Sequence, residues 1–315
     1  MTDLEVRKLR FGFADSAVPF VWNESNPTFS AAANVLSFLF LAVEKMIGAA
    51  VHEAMPVITD PEVAEEARAF VRQEGQHSMA HRQHAKGLIK SHPALQETLD
   101  GVIAVFDELT ANRSLKYRLA YIADLEATFT PTFGMMLANA DTLFAPGDDR
   151  VASLFLWHFV EEMEHRSSAL VIYNDVVGDP WYRLRVAPSV FNHAGSAIVA
   201  AAESFNEHIP LAVRKVDAAS MFGGPGWRRR LSTKVPRLRP LLLSGVPDRG
   251  PFGKLWASVS VLDQLTATLG IVRSQIPGHD PAEHRLPELA AEWLARYDAG
   301  YDVTRWYTAA TSRSA

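Results

Sequence analysis

Four long helical patterns fill the first 180 residues, and no stretch there shows the sustained apolar–polar alternation of a strand. Ser30 to Ala54 is rich in Ala, Leu and Phe, holds no internal proline, and is closed by Pro56. Thr59-Asp60-Pro61 marks a second helix start, with Glu62, Glu65 and Glu66 near its positive end and His92-Pro93 stopping it after about Lys90. A shorter helix is expected over Ala94–Leu109. A third long helix runs from Ser114 to about Leu143, where Pro146-Gly147-Asp148-Asp149 makes a turn. A fourth runs from Arg150 to about Val177 and ends at Gly178-Asp179-Pro180. Helices of roughly 25 to 30 residues exceed the globular average and suit a bundle, so the fold class expected is all-α.

The rest of the chain differs in charge. Trp181 to Lys254 holds 12 Lys plus Arg but 4 Asp plus Glu, whereas the whole chain carries −5. Helical pieces are expected at Val190–Ala219, Lys254–Ser274 and Leu286–Tyr297, with an irregular segment from Gly223 to Pro251. Residues 1–180 thus read as a helical bundle and 181–315 as a C-terminal helical extension packed on it as one structural unit. Arg228 to Arg239, with six basic residues, reads as a solvated loop against the acidic bundle or as a contact for a phosphate, an acidic partner or a membrane surface.

Composition narrows the chemistry. The absence of cysteine excludes disulfides, thiolate nucleophiles, iron–sulfur clusters and cysteine-bound zinc, so any metal must be held by His, Asp and Glu. The near balance of 31 basic and 36 acidic residues argues against nucleic acid as a partner. Met1 to Asp15 has no apolar run of signal-peptide type, and Val35–Val43 and Ile198–Ala202 are too short to span a bilayer. A cytoplasmic location is expected.

The second and fourth long helices each contain Glu-x-x-His: Glu74-Gly75-Gln76-His77 and Glu162-Met163-Glu164-His165. A separation of three residues puts both side chains of each motif on one helical face, able to meet the same metal. One such tetrad is expected by chance; two on alternate helices are less so. The first and third helices each supply one mid-helix carboxylate in an apolar setting, Glu44 and Glu126. The order Glu, Glu-x-x-His, Glu, Glu-x-x-His is that of di-iron carboxylate bundles of ferritin-like fold. Four glutamates offset much of the charge of two divalent cations, and burying them without a cation would be very costly. Taken singly, each glutamate would more often face solvent, and each histidine would more often be hydrogen-bonded core.

His158 precedes Glu162 by one turn and offers a seventh ligand; His81, one turn after His77, is the alternative. His52 and His84 read as peripheral. Thr130 lies one turn after Glu126, where its hydroxyl could order a proton or an oxygen species in catalysis or simply bond back to the helix. Pro131 removes an amide beside that ligand, which kinks the helix and opens room for substrate.

With these residues in view, the chain resembles a bacterial family of predicted metal-dependent hydrolases of ferritin-like fold. The likeness is carried by Gln73-Glu74-Gly75-Gln76-His77-Ser78-Met79-Ala80-His81 and Trp157-His158-Phe159-Val160-Glu161-Glu162-Met163-Glu164-His165, and covers roughly residues 25 to 280. The His-x3-Glu-x2-His element also looks like the di-iron arylamine N-oxygenases, which implies Glu44, Glu74, His77, Glu126, His158, Glu162 and His165 as iron ligands. The first expectation is therefore a non-haem di-iron oxidase or oxygenase holding two Fe ions, or a Mn/Fe or other divalent pair. It would use O₂ on a small organic substrate, with electrons from the substrate or a separate donor. Two-metal hydrolysis is the alternative, and a non-enzymatic ferritin-like iron-binding protein the third reading. A homodimer formed through an outer bundle face is also expected.

Overall fold

A computed structural model describes residues 4–222, 235–242 and 249–311. The described residues are helices and loops with no strand, so the protein is all-α. The long helices are α1 (Pro27–Ala54), α2 (Pro61–Ser91), α3 (Leu95–Asn112), α4 (Leu115–Ala138), α5 (Asp149–Glu164), α6 (Ser168–Val176), α7 (Pro180–His208), α8 (Val261–Ser274) and α9 (Glu288–Asp298).

Side-chain caps fix where these helices start. Asn26 accepts from the Phe29 amide at 3.0 Å and Asp60 from the Glu62 amide at 2.8 Å, each followed by proline in the first turn. Ser114, Asp148 and Asp179 cap α4, α5 and α7 in the same way. α1 packs along α2 and α4, and α5 with α6 closes the ring between α2 and α4. Four helical rods therefore surround one core, an arrangement consistent with a ferritin-like bundle. α3 and α7 cover α1 and α4 from outside, and α8 lies along α4. α1 is long and apolar enough to cross a membrane, but 72% of its apolar window is buried, the packing of a core helix.

The structure corrects several expected boundaries. The third helix stops at Ala138, where Asn139 leaves helical geometry, and a separate turn covers Ala140–Leu143. The fourth helix is two: His165, with φ −92° and ψ 12°, ends α5, and α6 begins at Ser168. Tertiary bonds win over helix continuity there, because the Arg166 guanidinium turns to the carbonyls of Pro281 at 2.9 Å and His284 at 3.0 Å. α7 starts at Asp179-Pro180 rather than Val190 and runs through Pro188, since that dipeptide both ends one helix and begins the next. It also stops at His208, short of Ala219. α8 begins at Val261, seven residues after Lys254, where Ser260 provides the cap. The cationic stretch Arg228–Arg230 and Lys234 lies outside the described residues.

Candidate metal centre

The six glutamates and histidines of the repeated pattern, together with His158, converge in the middle of the four-rod ring. None of the seven is more than 5% exposed. Their donor atoms form two groups: Glu44, His77 and His158, and then Glu74, Glu126, Glu162 and His165, each within 4.8 Å internally. Two glutamates reach both groups. Glu74 turns one oxygen to His165 Nε2 at 3.3 Å and the other to His77 Nδ1 at 3.9 Å. Glu162 places Oε1 at 2.8 Å from His158 Nε2 and Oε2 at 3.2 Å from His165 Nε2. Each Glu-x-x-His motif thus supplies a carboxylate between the groups and an imidazole to one of them.

The outward nitrogen of each imidazole is held. His77 Nε2 bonds Glu161 at 2.9 Å, His165 Nδ1 bonds Gln73 at 3.0 Å, and His158 Nδ1 bonds His81 Nε2 at 2.6 Å. Such outward bonds fix ring orientation and tautomer, leaving the other nitrogen free to ligate. His77 Nδ1 and His165 Nε2 are buried without a hydrogen-bond partner, as are both Glu44 oxygens and one oxygen each of Glu74, Glu126 and Glu162. Buried polar atoms are almost always satisfied, so a ring of orphans facing one centre marks a place for a cation pair. The donor set, four carboxylates and three imidazoles with no sulfur, fits two divalent ions of hard or intermediate character.

The electrostatics tell the same story. Burial, reinforced by Glu74, pushes the Glu44 carboxyl well above its ordinary range; burial with Glu162 and Glu74 does the same to Glu126. Burial opposes ionisation of Glu162 too, yet His165 and His158 pull it well below the usual range. Burial disfavours the imidazolium of His77, but Glu161 and Glu74 outweigh it and raise that group. His158, buried and next to His77, falls to about 4. Without cations the cluster shares protons among like charges, and cations would replace them.

Of the two candidates for a seventh donor, His158 faces the first group, whereas His81 sits behind it, bonded to His158 and to Ser37 at 2.9 Å. His84 is buried against Phe13 and also bonds Ser37, outside the donor groups; His52 is exposed at the end of α1. Thr130 is 5% exposed and its hydroxyl has no partner, whereas Thr128 and Thr132 both bond back to the helix. α4 runs on through Pro131, against which Gly270 of α8 packs so closely that an added Cβ would lie 2.7 Å from the proline Cβ.

Three supporting residues escape a ligand search. Glu161 is fully buried, holds His77 and is itself paired with Arg7 at 3.0 Å; Gln73 holds His165. Helical spacing carried the signal for two of them. Glu161 stands three after His158 and four before His165, and Gln73 four before His77. Arg7, 154 residues from Glu161, left no local sign.

Two voids flank α4. One, of about 200 Å³, is almost wholly apolar and lined by Phe29, Phe129, Phe133, Phe155 and Phe159. Phe40, whose ring is 4.4 Å from that of His158, packs against Phe129 and Phe133 on the donor side of it. The other, of about 490 Å³, is a cleft between α4 and α8 that reaches Thr130 and Met163.

A family model described as predicted metal-dependent hydrolase matches residues 5–239, and the chain belongs to that family. No curated protein and no solved structure matches the chain.

Proposed function

We propose that this member of the predicted metal-dependent hydrolases is a two-metal hydrolase whose centre is the buried Glu/His cluster. The observation that carries this reading is the set of unpartnered donor atoms converging from α1, α2, α4 and α5. Glu44, His77 and His158 would hold one cation and Glu126 and His165 the other, with Glu74 and Glu162 each offering one oxygen to either side. A divalent pair so held supplies Lewis-acid polarisation of a carbonyl or phosphoryl oxygen and lowers the pKa of water.

The chain's own residues do the rest. Glu161, Gln73 and His81 keep the three imidazoles aimed inward. The Thr130 hydroxyl, free at the boundary between cluster and cleft, donates to the substrate oxygen and orients it. Glu126, one turn away on the same helix, is placed to take the proton of the attacking water. Rings of Phe40, Phe129 and Phe133 keep bulk water from the opposite side, which strengthens each polar contact inside.

The initial expectation of oxygen chemistry on iron finds no support in the family description, although the carboxylate-rich donor set suits iron as well as zinc or manganese. One experiment separates the two. Protein loaded with Zn²⁺, Mn²⁺ or Fe²⁺ is offered a panel of carboxylic and phosphoric esters with O₂ excluded. Anaerobic turnover that disappears in Glu74→Ala and His165→Ala supports hydrolysis. Absence of turnover, with O₂ consumed by the Fe²⁺-loaded protein, overturns it in favour of the oxidase.

A further inference from the structure

The cleft between α4 and α8 has a chemical direction. Gln275 and Ser274, at the end of α8, reach Asp124 and Arg183, while Gly270 meets Pro131, so the two helices run antiparallel. The wall near Asp124 ends in Arg273, His284 and Arg285, all exposed. Neither arginine forms an ion pair with a described residue. The other arm runs along Gly134, Met135 and Ala138 of α4 and Ala267 and Leu269 of α8, and is mostly apolar, with Thr266 and Asp263 its polar residues. Its one acid, Asp263, is ten residues from Arg273, about 15 Å along the helix. Between the arms, at the buried floor, stand Met163 and the unpartnered Thr130 hydroxyl, one turn from Glu126.

We infer that this cleft binds an anionic amphiphile: an acyl ester with a carboxylate or phosphate on its alcohol part at Arg273 and Arg285, its acyl chain along Gly134, Met135 and Leu269, and its ester bond at Thr130. This rests on the hydrolytic reading of the cluster and gives it a substrate class. Hydrolysis there is balanced without a further reagent. Water adds to the acyl carbon, the C–O bond breaks, and the products are a fatty acid and an anionic alcohol, with the proton of water passing to the alcohol oxygen. The alternative void offers no cationic side chain, so it cannot select the charge.

Binding is testable apart from turnover. Decyl phosphate, decanoate, neutral decyl glucoside and cationic decyltrimethylammonium are titrated calorimetrically, below their micellar concentrations, into metal-free and metal-loaded protein. The expected result is binding of the two anions about tenfold tighter than the neutral probe, the size of a charge-assisted contact at a partly exposed site. Comparing decyl phosphate with decanoate tells which head group is preferred. In Arg273→Ala/Arg285→Ala the advantage should vanish, with binding of the glucoside unchanged. Both residues are exposed, so circular dichroism should show an intact fold. Equal affinity for all probes, or an anionic preference that survives the double variant, overturns the inference. Metal-dependent hydrolysis of neutral esters alone would sink this inference and leave the hydrolase standing. Anion-selective binding without hydrolysis of any ester would do the reverse.

Discussion

Glu161→Gln tests whether the cluster is built to hold metal or merely buried. Glu161 Oε2 takes the His77 Nε2 proton at 2.9 Å, and Oε1 faces Arg7 at 3.0 Å. A glutamine cannot serve both donors. If its carbonyl faces His77, its amide meets the Arg7 guanidinium, donor against donor. If it turns round, the amide donates to His77 Nε2 and forces the ring proton onto Nδ1, the nitrogen facing Glu74 and Glu162. Either arrangement weakens His77 as a ligand without removing it. Loss of such an outer bond typically costs about 10- to 100-fold in metal affinity, or roughly 1.4 to 2.7 kcal/mol. Arg7 keeps Glu164 and Glu5, so the metal-free protein should lose less stability than a broken buried pair would imply. Chelator competition with Zn²⁺ or Mn²⁺ should show one of two sites weakened, the one shared by Glu44, His77 and His158, with the other near its wild-type affinity. Two sites within twofold of wild type would refute the assignment of His77 and the role of Glu161 together.

His158→Ala should lose one metal per chain, whereas His81→Ala should retain two at reduced affinity; elemental analysis after gel filtration reads both, and equal losses would remove the distinction. Metal loading at pH 7 should release protons, because burial and like charge hold Glu44 and Glu126 above their ordinary range; titration calorimetry in buffers of different ionisation enthalpy measures this, and no release would contradict it. In the metal-free protein Glu44 and Glu126 bind more protons folded than unfolded from about pH 4.5 upward, and His77 and His165 do so above about 6.5, so each lowers stability as pH rises through its raised range. His158 and His84, lowered to about 4 and about 3, act oppositely and cost stability as pH falls below 6.5. Denaturant midpoints of the metal-free form should therefore fall as pH rises above about 6.5, where the lowered histidines no longer titrate and the raised groups still do, and added metal should abolish that decline. Gly270→Val should push α8 off Pro131 and cost about 1 to 3 kcal/mol, read from the denaturant midpoint; an unchanged midpoint would mean α8 is free to move.

The rods and the convergence of their candidate ligands could be read from the sequence because both depend on spacing within a few residues. Pro61 after Asp60 is such a local signal and needs no tertiary partner; the same pair at Asn26-Pro27 and Asp179-Pro180 starts two more helices, expected from the sequence at Ser30 and Val190. Glu-x-x-His likewise declares a helical face. What the sequence hid is long-range competition. Nothing near His165 announces that Arg166 will turn to carbonyls more than 110 residues on, beside the point where α5 ends at a candidate metal donor.

The same logic explains why the supporting shell was half visible. Gln73 and Glu161 each lie on the face of a candidate ligand and hold the histidine of the opposite helix, so their spacing gives them many readings until that partner is known. His81 shows the cost of that ambiguity. By spacing it competed with His158 as a ligand; by packing, it bonds His158 Nδ1 and leaves Nε2 toward the glutamates. Its own position explains the choice: burial and the neighbouring His158 hold His81 well below its ordinary range, so it stays neutral. Both nitrogens of His81 are turned to Ser37 and His158, away from the carboxylates, whereas His158 turns Nε2 to Glu162 at 2.8 Å, so only His158 presents a nitrogen to the donor groups. Whether a histidine on the right face binds metal is thus decided by what its second nitrogen meets, a question that spacing alone does not pose.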